Sequence, residues 1–223
     1  MEGKMATKKV KERSDFILKE GYPVVGALGG VAVVATLFNI SPLATLLLWG
    51  ATLGVACLYR NPPRNPEDEG ENLLLAPTDG EVVKVEEVEK SPILEREAVK
   101  VSIKTGFCDV HIPRSPVDGE LESQKRLHGV FLPLSSPKAQ RLNSQIHYLF
   151  KTPTGDEVEM VQLGGKGVEK GKLFRQPGEI QKGRRLGFAP GSFQIDLYLP
   201  KSVKLKVVEF EKVVGGETII GLF

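Results

Sequence analysis

The sequence predicts a mainly β (α+β) fold: a β-rich catalytic domain of two related halves, preceded by an N-terminal helical hairpin suited to a membrane. Three observations predict it. Charged residues make up 26% of the chain, yet not one Asp, Glu, Lys or Arg occurs between Tyr22 and Tyr59. Beyond Asn72, apolar residues recur at every second position in short runs bounded by turn residues, the period of half-buried strands. Finally, Ala76-Pro77-Thr78-Asp79-Gly80-Glu81-Val82 is echoed by Ser115-Pro116-Val117-Asp118-Gly119-Glu120-Leu121, two Asp-Gly turns that each start a strand.

In chain order, residues 1–21 form a basic N-terminal segment (Lys4, Lys8, Lys9, Lys11, Arg13, Lys19) fit to lie on an anionic surface. Residues 22–59 hold two apolar runs joined by Asn39-Ile40-Ser41-Pro42, where Asn or Ser caps and Pro opens a helix. Each run is about the 17 residues needed to span hydrocarbon, and Gly26, Gly29, Ala32, Ala35, Ala44, Gly50 and Gly54 would allow close helix approach. Lys19 on one side and Arg60 and Arg64 on the other place both ends in the cytoplasm. A buried helical pair in a soluble core is the bland alternative; a cleavable signal peptide is disfavoured by the second apolar run.

Residues 60–71 read as a linker, because Pro62, Pro63 and Pro66 block both helix and central strand. Residues 72–223 are the β-rich catalytic domain, with strands predicted at 82–88, 99–103, 158–163, 193–199 and 203–208. Helical candidates there are few, the best being Ser136 to Ser144. Gln176-Pro177-Gly178-Glu179-Ile180 is a fainter echo of the Asp-Gly turns, of the kind turn chemistry produces by chance. The net charge of +2 gives no footprint for nucleic acid. Cys57 and Cys108 lack the spacing of a zinc site or a disulfide framework, so no metal is expected.

The chemistry centres on Gly191-Ser192, at the corner before the alternating run Phe193, Ile195, Leu197, Leu199. A glycine carbonyl is unhindered, and glycine adopts backbone angles closed to other residues, so Ser192 could attack the bond that precedes it. A serine nucleophile needs a base, and the base an acid to fix its tautomer. Of His111, His128 and His147, His111 lies in a β-like segment just before the second Asp-Gly turn; the other two read as surface or packing residues. Asp79 and Asp118 are the acids at turns, where a short carboxylate often bonds only its own backbone.

Four ordered blocks resemble the phosphatidylserine decarboxylase proenzyme family, in its short type with an N-terminal membrane segment. They are Leu58-Tyr59-Arg60-Asn61-Pro62-Pro63-Arg64-Asn65-Pro66, Ala76-Pro77-Thr78-Asp79-Gly80, Asp109-Val110-His111-Ile112-Pro113-Arg114-Ser115-Pro116-Val117-Asp118-Gly119, and Lys182-Gly183-Arg184-Arg185-Leu186-Gly187-Phe188-Ala189-Pro190-Gly191-Ser192. The chain departs from the family pattern at Asn143-Ser144-Gln145, at Lys166 to Lys172, and at Pro190.

The resemblance implies a mechanism. Asp79 orients His111, and His111 activates Ser192, which attacks the Gly191 carbonyl. Elimination of the resulting ester leaves a β chain (1–191) and an α chain (192–223) that begins with a pyruvoyl group, the cofactor. That ketone takes the serine headgroup amine as a Schiff base and accepts the electrons released as carbon dioxide leaves, the role PLP fills elsewhere. His111 then donates a proton; of Arg114, Arg126 and Arg141, Arg114 is the favoured phosphate contact, since it stands three residues from His111 within the matched block.

Phosphatidylserine would become phosphatidylethanolamine at the cell membrane, with the enzyme peripheral or hairpin-anchored and its catalytic domain facing the cytoplasm. The partners are the phospholipid substrate and the two chains of one precursor; a homo-oligomer is compatible with the sequence. Two alternatives stand beside this reading: decarboxylation of an ether-linked serine lipid, and an uncleaved membrane-anchored β-domain that binds lipids or partners.

Overall fold

The structure, a computed structural model, describes residues 15–66, 70 and 72–223, so most of the basic N-terminal segment and part of the 60–71 stretch lie outside the described residues. The apolar region forms two helices, α1 (Tyr22–Leu37) and α2 (Pro42–Leu58). Ser41 caps α2 by accepting from the Ala44 N–H (3.5 Å), and Pro42 occupies its first turn, as Ser-Pro dictates. Only part of the small-residue set makes the helix contact. Ala32 and Ala35 are buried, Gly29 faces Thr52, and Trp49 donates to the Thr36 hydroxyl (3.3 Å), whereas Gly26, Gly30, Gly50 and Gly54 face open space. Lys19–Leu37 is long and apolar enough to cross a membrane; Pro42–Leu58 is shorter.

The two ends of the hairpin are tied together. Leu18 N–H donates to the Tyr59 carbonyl (2.9 Å), and Asn61 N–H to the Phe16 carbonyl (3.0 Å). The root then packs on the body through a small apolar cluster of Leu18, Val110, Ile112 and Phe188, with the Tyr59 ring tilted against Phe188 at 4.9 Å. The described part of the 60–71 stretch is fastened as well, since Arg64 binds Asp79 (2.5 Å) and Glu217 (3.3 Å).

Alternation of apolar residues produces an eight-stranded antiparallel sheet, with strand order β12-β2-β3-β10-β6-β5-β4-β8. Its members are β2 (Gly80–Val88), β3 (Ala98–Lys104), β4 (Gly119–Leu127), β5 (Ser144–Lys151), β6 (Glu157–Gly164), β8 (Gly178–Ile180), β10 (Phe193–Leu199) and β12 (Lys212–Val213). One face, with Val82, Val101, Ile103, Tyr148, Phe150, Met160, Phe193, Ile195 and Leu197, forms the main core. Leu74 and Ile220, from a three-stranded sheet of β1 (Leu73–Leu75), β13 (Ile219–Leu222) and β11 (Lys204–Leu205), close that core. The strand predicted at 203–208 shrinks to β11, and the predicted 136–144 helix to α3 (Ala139–Leu142). Pro137 and the buried Asn143, bound at both ends of its amide to Leu132, leave room for only one turn.

The order reads as two halves related by an approximate twofold axis between β10 and β6. Gly80 (φ 152°) and Gly119 (φ 134°) open the equivalent strands β2 and β4. A Cβ on Gly80 would lie 2.3 Å from the Lys104 carbonyl oxygen, and one on Gly119 2.0 Å from that of Lys151, so both turns demand glycine. Bulges interrupt the pairing at Val82/Lys84 in one half and at Leu121/Ser123 in the other. The turn acids repeat too: Gly215 N–H donates to Asp79 Oδ1 and Lys182 N–H to Asp118 Oδ1, each at 2.9 Å. The faint third echo is therefore β8, which pairs with β4 as β12 pairs with β2.

Candidate active site

Gly191 has φ 97° and stands immediately before β10. A Cβ there would meet no atom within 4 Å, so backbone angle rather than space calls for glycine. Ser192 follows it and is exposed. Behind the corner, Pro190 packs against α4 (Lys166–Lys170), where a Cβ on Gly167 would overlap the Pro190 carbonyl oxygen at 1.7 Å. Pro190 and the 166–172 segment, two of the departures from the family pattern, thus meet in one contact.

His111 lies beneath this corner. Its carbonyl accepts from Ala189 N–H (3.1 Å), and its ring meets the Phe193 ring edge-on at 6.4 Å. The contacts at residues 189 and 193 bracket Pro190, Gly191 and Ser192, so the corner lies in the neighbourhood of His111, whose ring itself meets Phe193. The side chain is fully buried, and neither ring nitrogen makes a hydrogen bond of good geometry, although the Leu58 and Gly106 carbonyls stand close enough to favour its protonated form. A buried imidazole so poorly bonded is uncommon and marks a functional candidate.

Burial is the main influence on its proton affinity and holds the pKa below the usual 6.5. The Leu58 and Gly106 carbonyls and the Asp109 carboxylate oppose that shift, while Arg60 adds to it. At neutral pH the ring is therefore a neutral base, the form needed to take a serine proton.

Asp79 is close in sequence logic but differently employed. Its Oδ2 binds Arg64 (2.5 Å) and its Oδ1 the Gly215 N–H (2.9 Å), so the carboxylate is engaged away from the imidazole. What ties this residue to the corner is its backbone: the Asp79 carbonyl accepts from Thr105 Oγ1 (3.0 Å), and Thr105 N–H donates to the Phe193 carbonyl (2.9 Å). Asp118 makes the matching turn, bonded to Lys182.

Arg114 is turned into the body, 5% exposed, with its guanidinium on the Gly183 carbonyl (2.9 Å). His128 is exposed beside Glu169 (3.8 Å), and His147 in β5 bonds Gln145 (2.7 Å). Among the described residues no cluster of His, Cys, Asp and Glu could hold a metal ion.

Arg64, Thr105, Phe193 and Gly167 escaped sequence reasoning as site residues. Arg64 is marked by its place in the Arg-x-x-x-Arg stretch after the hairpin; Thr105 and Phe193 act through pairing across the sheet and Gly167 through the packing of α4 on Pro190, contacts that no local pattern encodes.

Comparisons with known proteins show the family of the chain. The family model of phosphatidylserine decarboxylase matches residues 55–221. A phosphatidylserine decarboxylase proenzyme of Nitrosomonas eutropha is 36% identical over 93% of this chain and 95% of the relative. Those of Geotalea uraniireducens (34%, over 96% and 99%) and Carboxydothermus hydrogenoformans (36%, over 91% and 94%) are similar. No solved structure matches. By these matches the chain is a decarboxylase of phospholipid metabolism. Specifically, the chain belongs to the phosphatidylserine decarboxylase family.

Proposed function

We propose that the chain cuts itself between Gly191 and Ser192 and then, as a pyruvoyl enzyme, converts phosphatidylserine to phosphatidylethanolamine and carbon dioxide at a membrane. The observation that carries this is the buried, neutral His111 imidazole, joined through Ala189 and Phe193 to the segment that holds Gly191 and Ser192. In the cutting step His111 takes the Ser192 proton and the oxygen attacks the Gly191 carbonyl. The C–N bond breaks as the ester forms and the amine is freed. Elimination then releases the Gly191 carboxylate; the dehydroalanine left behind takes up water and loses ammonia to become the ketone.

The residues present fit such a group: the corner is exposed and open at Gly191, and a proton carrier lies beneath it. A pyruvoyl group would supply a conjugated ketone, an electron sink for the pair released with carbon dioxide. His111 would hold the proton that the substrate carbon regains, and Phe193 would fix the ring. Asp79 would act through its Thr105 link to the Phe193 strand, with its carboxylate on Arg64 and Gly215 bracing the turn.

The lipid substrate fits the hairpin. The hydrogen bonds that tie Leu18 to Tyr59 and Asn61 to Phe16 at the hairpin root support an inserted hairpin with both ends on one side. With Lys19, Arg60 and Arg64 flanking it, that side would be the cytoplasm by the positive-inside rule. The engagement of the Asp79 carboxylate away from His111 favours one second reading, an uncleaved lipid-binding domain.

Denaturing mass spectrometry of purified protein separates the two. Self-processing gives fragments ending at Gly191 and beginning with a blocked residue 192, and leaves a single chain for Ser192→Ala. Wild-type protein that stays whole under all conditions refutes it. Side-by-side headgroup decarboxylation of ester- and ether-linked serine lipids then fixes the substrate.

A further inference from the structure

The strands of the large sheet alternate in direction, so its two ends are distinct. One end carries the close of β3, β4 and β6 and the start of β2, β5 and β10, and with them the Ser192 corner. The opposite end carries the 89–97, 152–156 and 200–203 connections.

Exposed large apolar side chains segregate between these ends. Beyond residue 72, among the described residues, Phe107 (63% exposed), Leu127, Val130, Phe131 (47%) and Leu142 all stand on the Ser192 end. Val208 and Phe210 lie beside the first residues of β2, where Phe210 N–H donates to the Val82 carbonyl (2.7 Å). Among the same residues none falls on the connections of the opposite end. Exposed apolar residues scattered singly need no explanation, but a set gathered on one side marks a contact surface.

Two of the five flank the corner directly. Phe107 follows Thr105, which is bonded to Phe193 on one side. Phe131 packs over Gly165, its Cβ 3.8 Å from where a Cβ on that glycine would stand, beside the Gly164 that pairs with Phe193 on the other. The loop 128–143 between β4 and β5 contains Lys138 and Arg141, both exposed, and no acidic residue. The surface also continues into the hairpin root, because Arg60 donates to the Cys108 carbonyl (2.6 Å), one residue from Phe107, and the Leu58 carbonyl faces His111. Apolar tips with interleaved basic residues in the 128–143 loop suit an anionic lipid monolayer, and on the Phe107 turn the Asp109 carboxylate is taken up by the Gly106 N–H (2.7 Å).

We propose that this end of the sheet rests on an anionic lipid monolayer, with Phe107 and the 128–143 loop entering it as a second contact beside the hairpin. The Ser192 corner is thereby held at headgroup level between two inserted phenylalanines, and a serine headgroup reaches it without leaving the bilayer. This rests on the lipid-directed reading above and adds a surface to it.

The test uses the full chain in nanodiscs of phosphatidylglycerol and phosphatidylcholine, with Trp49→Phe removing the single native tryptophan. Reporters are placed one at a time by Phe107→Trp, Phe131→Trp and, on the opposite end, Lys90→Trp. Lipids brominated high on the acyl chain should quench the first two at least about twofold and leave the third unchanged. Equal quenching at all three, or none at Phe107→Trp and Phe131→Trp, overturns the proposal. So does a blue shift that follows protein concentration without lipid, which would make the patch a contact between copies.

The same reporters are read in Ser192→Ala, so lipid contact is measured whether or not the chain cuts itself. Lost quenching with intact cleavage sinks only the surface; quenching without cleavage supports the surface and sinks the pyruvoyl reading. As a functional arm, F107S/F131S should raise the apparent KM for bilayer substrate roughly tenfold or more, the partition loss expected for exposing buried phenylalanine. A short-chain monomeric substrate should be turned over as in the parent. An unchanged KM for the bilayer substrate also overturns the proposal.

Discussion

The two halves of the sheet differ most where they should be most alike. In the half built from β4, β5, β6 and β8, Thr152 N–H donates to the Asp156 carbonyl (2.8 Å) across a hairpin turn, Pro153-Thr154-Gly155, that joins β5 to β6. In the half built from β2, β3, β10 and β12, Thr105 N–H makes the same bond to the Phe193 carbonyl (2.9 Å), but β3 does not continue into β10. The chain instead leaves toward His111 and returns much later through Gly191 and Ser192. A glycine of positive φ precedes the acceptor in both, Gly155 (φ 92°) one residue before Asp156 and Gly191 (φ 97°) two residues before Phe193. One half spends this position on a connection; the other frees it and places an imidazole beneath it.

Several substitutions would break or sharpen that comparison. The largest effect is expected where the halves agree: Gly80→Ala and Gly119→Ala each force a Cβ into a carbonyl oxygen at positive φ. Each should cost more than about 3 kcal/mol, read as a collapse of the denaturant midpoint for both; if only one suffers, the halves are not equivalent. Next is Gly167→Ala, which drives α4 into Pro190. It should slow self-cleavage about 100-fold, a barrier change near 2.7 kcal/mol, with a smaller loss of melting temperature. Retention of the parent rate on a gel time course would show that the corner is not set by α4.

Asp79→Asn and Asp118→Asn form the sharpest pair. Both remove a charged acceptor from a matching turn, at a cost of about 1–2 kcal/mol each. If the Asp79 carboxylate only braces its turn, cleavage should slow modestly in both. Abolition of cleavage in Asp79→Asn alone would give that carboxylate a direct part in orienting His111.

The smallest effect is the response to acid. His111 has a folded pKa depressed by burial below 6.5. The unfolded chain therefore binds its proton first as pH drops, and the stability contributed by the neutral ring, complete above 6.5, declines below it. Cleavage should fall over the same acidic window, and His111→Gln should remove that component from a stability-against-pH titration.

Much of this was legible in the sequence. The hairpin limits follow from an absence of charge and from Ser41-Pro42, and the strands at Val82, Val99, Val158 and Phe193 from alternation. The two Asp-Gly turns foretold two related halves because glycine at that angle is a local necessity. The twofold arrangement itself was not legible, since it depends on Thr105 meeting Phe193 and Thr152 meeting Asp156, at sequence separations that local patterns do not encode. The same limit applies to the site: His111 and the Gly191-Ser192 corner stood out by type and position. Which groups engage the Asp79 carboxylate depended on Arg64 and Gly215 arriving from opposite ends of the chain.

β10 has partners on both edges, Gln194 to Leu199 against β3 and Phe193 to Tyr198 against β6. A nick before Ser192 would accordingly create a second polypeptide that is already woven into the middle of the fabric. The shorter fragment could depart only by tearing the sheet in two, so gentle purification would recover both fragments as one particle, and only denaturant would reveal the cut.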